Sequence, residues 1–224
     1  MIQKNKNIFR LFLLVILILF FSSCLFFEDN IKTEIYHNIN DIILKQANDL
    51  VGRAIYSKVI VNGKTFTLDC IGTVSAIFYS AGIDITKYFN KYSGNGVSRF
   101  YATLKNFDSL HDEKMPEKGD VIFWDNTWDR NNDGIIGNDP LTHAGVVMQV
   151  DEDGTIHYIH ANYVFGIIVE QMNLLNPTVY KDGDGKILNT PMFINSSLKK
   201  HPEHWLSGDL FKQFGRVLKV KELF

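Results

Sequence analysis

The connection between two strand-like segments narrows most sharply what this chain can fold into. His143–Val150 and Ile156–Ala161 are both rich in apolar and β-branched residues, and little more than the turn Asp151–Gly154 lies between them. Parallel neighbours need a crossover of a dozen or more residues, so a connection this short requires an antiparallel pair. The rest of the chain reads around that pair. A helix is expected from about Asn40, with Ile42, Ile43, Ala47, Leu50 and Val51 at helical spacing and Gly52 as its stop. Ala54–Leu68 reads as a hairpin about Asn62-Gly63, the strongest short hairpin signal. Asp69 and Cys70 open a second helix, with Val74, Ile77, Phe78 and Ala81 on one face and Gly82 ending it.

Val97–Leu104 is expected to be helical, Pro116–Asp120 a turn and Val121–Trp124 an apolar strand. A polar loop, Asp125–Pro140, leads into His143. Gly166–Val169 adds a further strand, Asp182–Gly185 a further turn, and the apolar tail from His204 to Phe224 belongs to the same domain. The class is α+β, with a helix packed against an antiparallel sheet over residues 40–224. With 224 residues, 46% of them hydrophobic, there is material for one well-buried domain and not for two large ones.

The net charge is −2, and residues 1–23 contribute Lys4, Lys6 and Arg10 without any acid, so the remainder is more acidic still. An acidic domain with no basic stripe argues against a nucleic-acid partner. The cations precede an unbroken apolar run, Leu11–Phe21, and then Ser22-Ser23-Cys24. That run is short for a membrane span but suits the apolar core of an export signal. Two small residues before a cysteine resemble the lipobox of bacterial lipoproteins, although Phe21 stands where those proteins usually have Leu. The resemblance implies a signal peptide over 1–23, lipidation of Cys24, a tether over 24–39 and a location in the cell envelope, outside the cytoplasm. The alternative is an uncleaved anchor over Leu11–Phe27.

Cys24 and Cys70 are the only cysteines. If Cys24 carries lipid, Cys70 has no disulfide partner within the chain, and an unpaired thiol outside the cytoplasm calls for a purpose. A thiol nucleophile needs a setting that favours deprotonation, a general base within hydrogen-bond reach, and a third group to orient the base. Cys70 begins a helix, whose N-terminal dipole is expected to favour the thiolate. His143 begins one strand and His160 ends the next, so the pair can meet at one end of the sheet. His157 and His160 are separated by an odd number and therefore face opposite sides. His37, His111, His201 and His204 read as surface residues. A zinc site from Cys70, His143 and His160 has the right ligand types, but the spacings match no compact zinc motif.

Asp69-Cys70-Ile71-Gly72-Thr73-Val74, continuing to Tyr79-Ser80-Ala81-Gly82-Ile83, resembles the nucleophile helix of the NlpC family of papain-like cell-wall peptidases. Gly119-Asp120-Val121-Ile122-Phe123-Trp124, His143-Ala144-Gly145-Val146-Val147 and Ile159-His160-Ala161 resemble three further motifs of that family, in the family's order. The related CHAP amidases share the order of Cys and His. Two departures stand out: Ile71 replaces a small Ser, and the aromatic-glycine segment before the cysteine has only Gly52 and Tyr56 to match it, so Tyr56 is assigned no role.

The resemblance implies a papain-like fold and a monomeric cysteine hydrolase cutting an amide in peptidoglycan stem peptides, often between D-glutamate and a diamino acid. Cys70 would be its nucleophile, His143 its base and His160 the orienting residue, with no cofactor required for the chemistry. The competing readings are an inactive envelope-binding lipoprotein and a papain-like amidase or transferase acting on another envelope amide.

Asp129, Asn131, Asp133, Gly134 and Ile135 follow the opening of an EF-hand-like loop, with oxygen donors at alternate positions and a glycine for the bend. Ile135 would offer its carbonyl. Pro140 occupies the place of the closing Glu, and Asp139 stands one residue before it. The expectation is a structural calcium ion held by Asp129, Asn131, Asp133, Ile135 and Asp139, against the alternative of a solvated Asx-turn loop.

Overall fold

The structure, a computed structural model, describes residues 33–135, 137–192 and 205–224. The export signal, the lipidation residue Cys24, the first part of the 24–39 tether, Ile136, His201 and His204 lie outside the described residues. No helix among the described residues is long and apolar enough to cross a membrane.

The chain divides into two compact units, Met1–Asp41 and Ile42–Phe224. In the first, residues 33–41 are helical, so helix is already present ahead of the expected Asn40. Ile35 is exposed there. In the second unit, residues 42–50 form α1 and bury Ile43, Ala47 and Leu50.

Lys58–Val61 (β1) and Lys64–Thr67 (β2) pair antiparallel across Asn62-Gly63, both with positive φ, as a type I′ turn demands. The Asn62 amide donates to the carbonyls of Tyr79 and Ser80, so the hairpin turn satisfies the C-terminal end of the next helix. That helix, α2, is Cys70–Tyr79 and buries Thr73 through Phe78 against β2 and the main sheet. Gly96–Asn106 forms α3 behind the N-cap Asn95.

The main sheet comprises Leu110–His111 (β3), Val121–Trp124 (β4), His143–Val150 (β5), Thr155–Asn162 (β6), Gly166–Asn173 (β7) and Phe211–Gly215 (β8). All its pairings are antiparallel, in the order β3-β8-β4-β5-β6-β7. The architecture is mixed α+β. The expected meander β4 to β7 is present, but the tail adds a strand that local pattern did not single out: β8 inserts between β3 and β4. Strand β8 is short, and its pairing depends on residues about a hundred positions away.

The face of the sheet bearing Ile122, Trp124, Val147, Tyr158, Met172 and Phe214 forms an apolar core. Phe123, on the other face, meets Phe100 of α3 edge to face.

Candidate active site

Cys70 is the first residue of α2 because Asp69 caps it: Asp69 Oδ1 accepts from the Gly72 N–H at 2.7 Å. Such a cap is worth about 1 kcal/mol to the helix. A Cβ on Gly72 would collide with the Thr67 carbonyl, so the close return of β2 onto the helix start requires glycine. Ile71, which departs from the NlpC pattern, packs its side chain on Gly96 at the start of α3.

Cys70 is a half-buried free thiol. Burial, followed by the neighbouring Asp69 carboxylate, pushes it up to about 12, against the opposing pull of the backbone N–H groups of Ile71, Cys70 and Ala144. This corrects the sequence expectation. The helix start does favour the thiolate, but desolvation and the capping carboxylate outweigh it, so the resting sulfur is a thiol. The Ala144 N–H also places the sulfur next to the start of β5, beside His143.

Cross-strand register explains the histidines. His160 pairs with Gly145, and His143 pairs with Trp124 on β4, so the two imidazoles lie diagonally on one face. Gly145 leaves room for this arrangement: a Cβ there would press on the Ile159 carbonyl at 2.7 Å and on the Trp124 ring at 3.1 Å. His143 Nε2 and His160 Nδ1 lie 2.9 Å apart, with the rings perpendicular. Both residues are nearly inaccessible, at 3% and 4%. Burial, and then the proximity of His160, holds His143 well below its ordinary value, so its imidazole is neutral. His157 points away and pairs with Asp151 at 2.8 Å.

Sequence reasoning missed the next member. His160 Nε2 lies 2.8 Å from Glu170 Oε2, extending the pair into a chain of three. Glu170 is on β7 opposite Tyr158, two residues along from the partner of His160, so it shares the His160 face. Alternation along β7 sets its face, but only the register with β6 brings it to His160.

One tyrosine lies close enough to feel the sulfur, and a second pairs with it. Burial and the charge of a Cys70 thiolate raise Tyr163, whose phenol also interacts with that of Tyr56. The two rings lie 6.4 Å apart. Tyr56 has a φ of 61°, a conformation that costs a bulky residue about 1–3 kcal/mol. The Tyr56 N–H donates to Leu68 and the Leu68 N–H to Ser57, which hold it there.

A cavity of about 350 Å³ opens on the relay, lined by His143, His160, Glu170, Tyr163, Phe165 and Met192. Cys70 is outside that lining, and Tyr163, which lines the cavity, feels its charge. Phe165 is 70% exposed at its rim.

The Gly119-Asp120 motif has a structural task. Asp120 is buried and takes a two-pronged bond from Arg216 at 3.1 and 3.0 Å, together with the Glu117 N–H and His111. His111, expected on the surface, is thereby tied into the sheet. Among the described residues no three His, Cys, Asp or Glu side chains converge as a metal cluster. His143 and His160 spend three of their four ring nitrogens on the relay. No protein-family model, curated protein or solved structure matches the chain, so the functional reading rests on this geometry and on the sequence motifs.

Proposed function

We propose that the chain is an envelope lipoprotein, anchored through Cys24, whose papain-like domain hydrolyses an amide in peptidoglycan stem peptides. Cys70 is its nucleophile, His143 its general base, and His160 and Glu170 position that base. The observation that carries the reading is the chain His143–His160–Glu170, with the residue after His143, Ala144, presenting its N–H to the thiol at the start of α2.

A carboxylate can only accept, so His160 Nε2 donates to Glu170. With its proton on Nε2, His160 then accepts at Nδ1, and His143 donates to it from Nε2. His143 Nδ1 is left as a bare lone pair, the nitrogen free to take a proton. Because thiol and imidazole are both neutral at rest, deprotonation accompanies attack. The Cys70 Sγ–H proton passes to His143 Nδ1 as the S–C bond forms at the amide carbonyl. The N–H groups at the start of α2 stabilise the oxyanion. His143 returns the proton to the leaving amine as the C–N bond breaks. Water, deprotonated by His143, then hydrolyses the thioester, releasing the carboxylate and restoring the thiol.

A second reading, an inactive envelope-binding lipoprotein, draws support from the raised thiol. One experiment separates the two. Purified sacculi incubated with the protein release muropeptides of defined mass under the first reading, and Cys70→Ala releases none. Intact sacculi with folded wild-type protein would favour the second.

A further inference from the structure

We propose that the loop Asp129–Asp139 is a calcium site. The side chains of its first three candidate donors each close a turn of the loop, although no three carboxylates among the described residues converge there without an ion. Asp129 Oδ2 accepts from the Gly134 N–H at 2.9 Å, Asn131 Oδ1 from Asp133 at 3.0 Å, and Asp133 Oδ1 from Ile135 at 2.8 Å. These bonds fold the segment into successive turns closed by the side chains at alternate positions. Such turns also form without an ion, and the loop alone would carry no claim.

The independent observation is the state of the remaining oxygens. Asp139 is only 2% exposed. Its Oδ1 takes the Asn131 N–H at 3.3 Å, which directs the carboxyl at the loop, while its Oδ2 is buried with no hydrogen-bond partner among the described residues. Asp129 repeats the pattern, with Oδ1 buried and unpartnered. Two buried carboxylate oxygens without a donor are costly, the more so when charged. A bound cation removes that cost.

The chemistry selects calcium. The donors are carboxylates, the Asn131 amide oxygen and the Ile135 carbonyl, all hard oxygens in a flexible loop, with no sulfur or imidazole. Asp133 Oδ2 here accepts from the amides of Asn131 and Asn138, and these bonds would exchange for one to the ion. Asp139, one residue before Pro140, takes the place of the absent closing Glu.

The site connects to β5. The Asp139 N–H donates to Asn126 Oδ1 and its carbonyl accepts from the Asn126 N–H, both at 2.8 Å. Leu141 donates to Asp125 Oδ1, Thr142 to the Trp124 carbonyl, and His143 follows. An ion on Asp139 therefore braces the backbone that delivers His143.

The test needs no substrate, so its failure is distinct from failure of the hydrolase reading. The full chain in detergent is titrated with terbium as a calcium substitute, excited through Trp128, which precedes Asp129 in sequence. The expected result is luminescence displaced by calcium, and a thermal midpoint about 5 °C or more higher in saturating calcium than in EGTA. Asp139→Asn and Asp129→Asn should abolish both signals. If Asp139→Asn does not fold, Asp133→Asn, at an exposed position, serves instead. Equal midpoints in calcium and EGTA without displaceable luminescence, or signals that survive in the variants, would overturn the proposal.

Discussion

Glu170 carries its weight through what a carboxylate lacks, a proton to donate. An amide in its place can turn its NH₂ toward His160 Nε2, which reverses the whole ladder: His160 then donates from Nδ1, His143 accepts at Nε2, and the His143 proton moves to Nδ1, where it blocks the base. Glu170→Gln is therefore expected to lower kcat by about 10²–10⁴-fold, the usual contribution of general base catalysis, with KM little changed. Imidazole ¹⁵N shifts should report the exchanged tautomers, a change that simple loosening of packing would not produce. Glu170→Asp, which keeps an acceptor, should recover part of the activity; equal rates in wild type and Glu170→Gln would remove Glu170 from the mechanism.

The pH dependence follows from the same residues. A thiol raised above its free value stays protonated until the solution is strongly basic. Alkylation of Cys70 should therefore climb steadily through the alkaline range, with no plateau at mildly acidic pH, as read by mass spectrometry. A preformed thiolate–imidazolium pair would give the opposite profile. His143, lowered by burial, must lose its proton to act as base, so the acid limb of kcat/KM should fall below pH 6.5.

At the scale of elements, the site depends on joints between short pieces. The β1–β2 turn holds the end of α2, β2 presses on its start at Gly72, and β8 binds β4 through Arg216 and Asp120. That last pair is buried, and Arg216 also meets Glu113 and Glu117 at 2.9 and 3.2 Å. Removing Asp120 leaves the buried Arg216 with only the exposed carboxylates of Glu113 and Glu117, and takes from His111 its carboxylate partner. Asp120→Ala is expected to destabilise the fold by about 3–5 kcal/mol in denaturant titration. A loss below about 1 kcal/mol would show that β8 is held by its apolar side chains alone.

For the whole molecule, the legible part and the hidden part divide by sequence distance. Local chemistry is written in the chain: Asn62-Gly63 specifies a hairpin, Asp69 a helix start, and a short turn forces β5 and β6 antiparallel, which brings His143 to His160. Each of these rests on backbone preferences or alternation acting over a few residues, and so the α+β class and the two imidazoles could be read directly. The place of β8, the bond from Asp120 to Arg216, and the raised Cys70 thiol could not. They depend on which distant groups exclude water and which charges are left facing one another, quantities that exist only after the chain has closed on itself. Glu170 lies between the two cases. Its face is set by simple alternation along β7, but its role appears only when β6 and β7 pair in register.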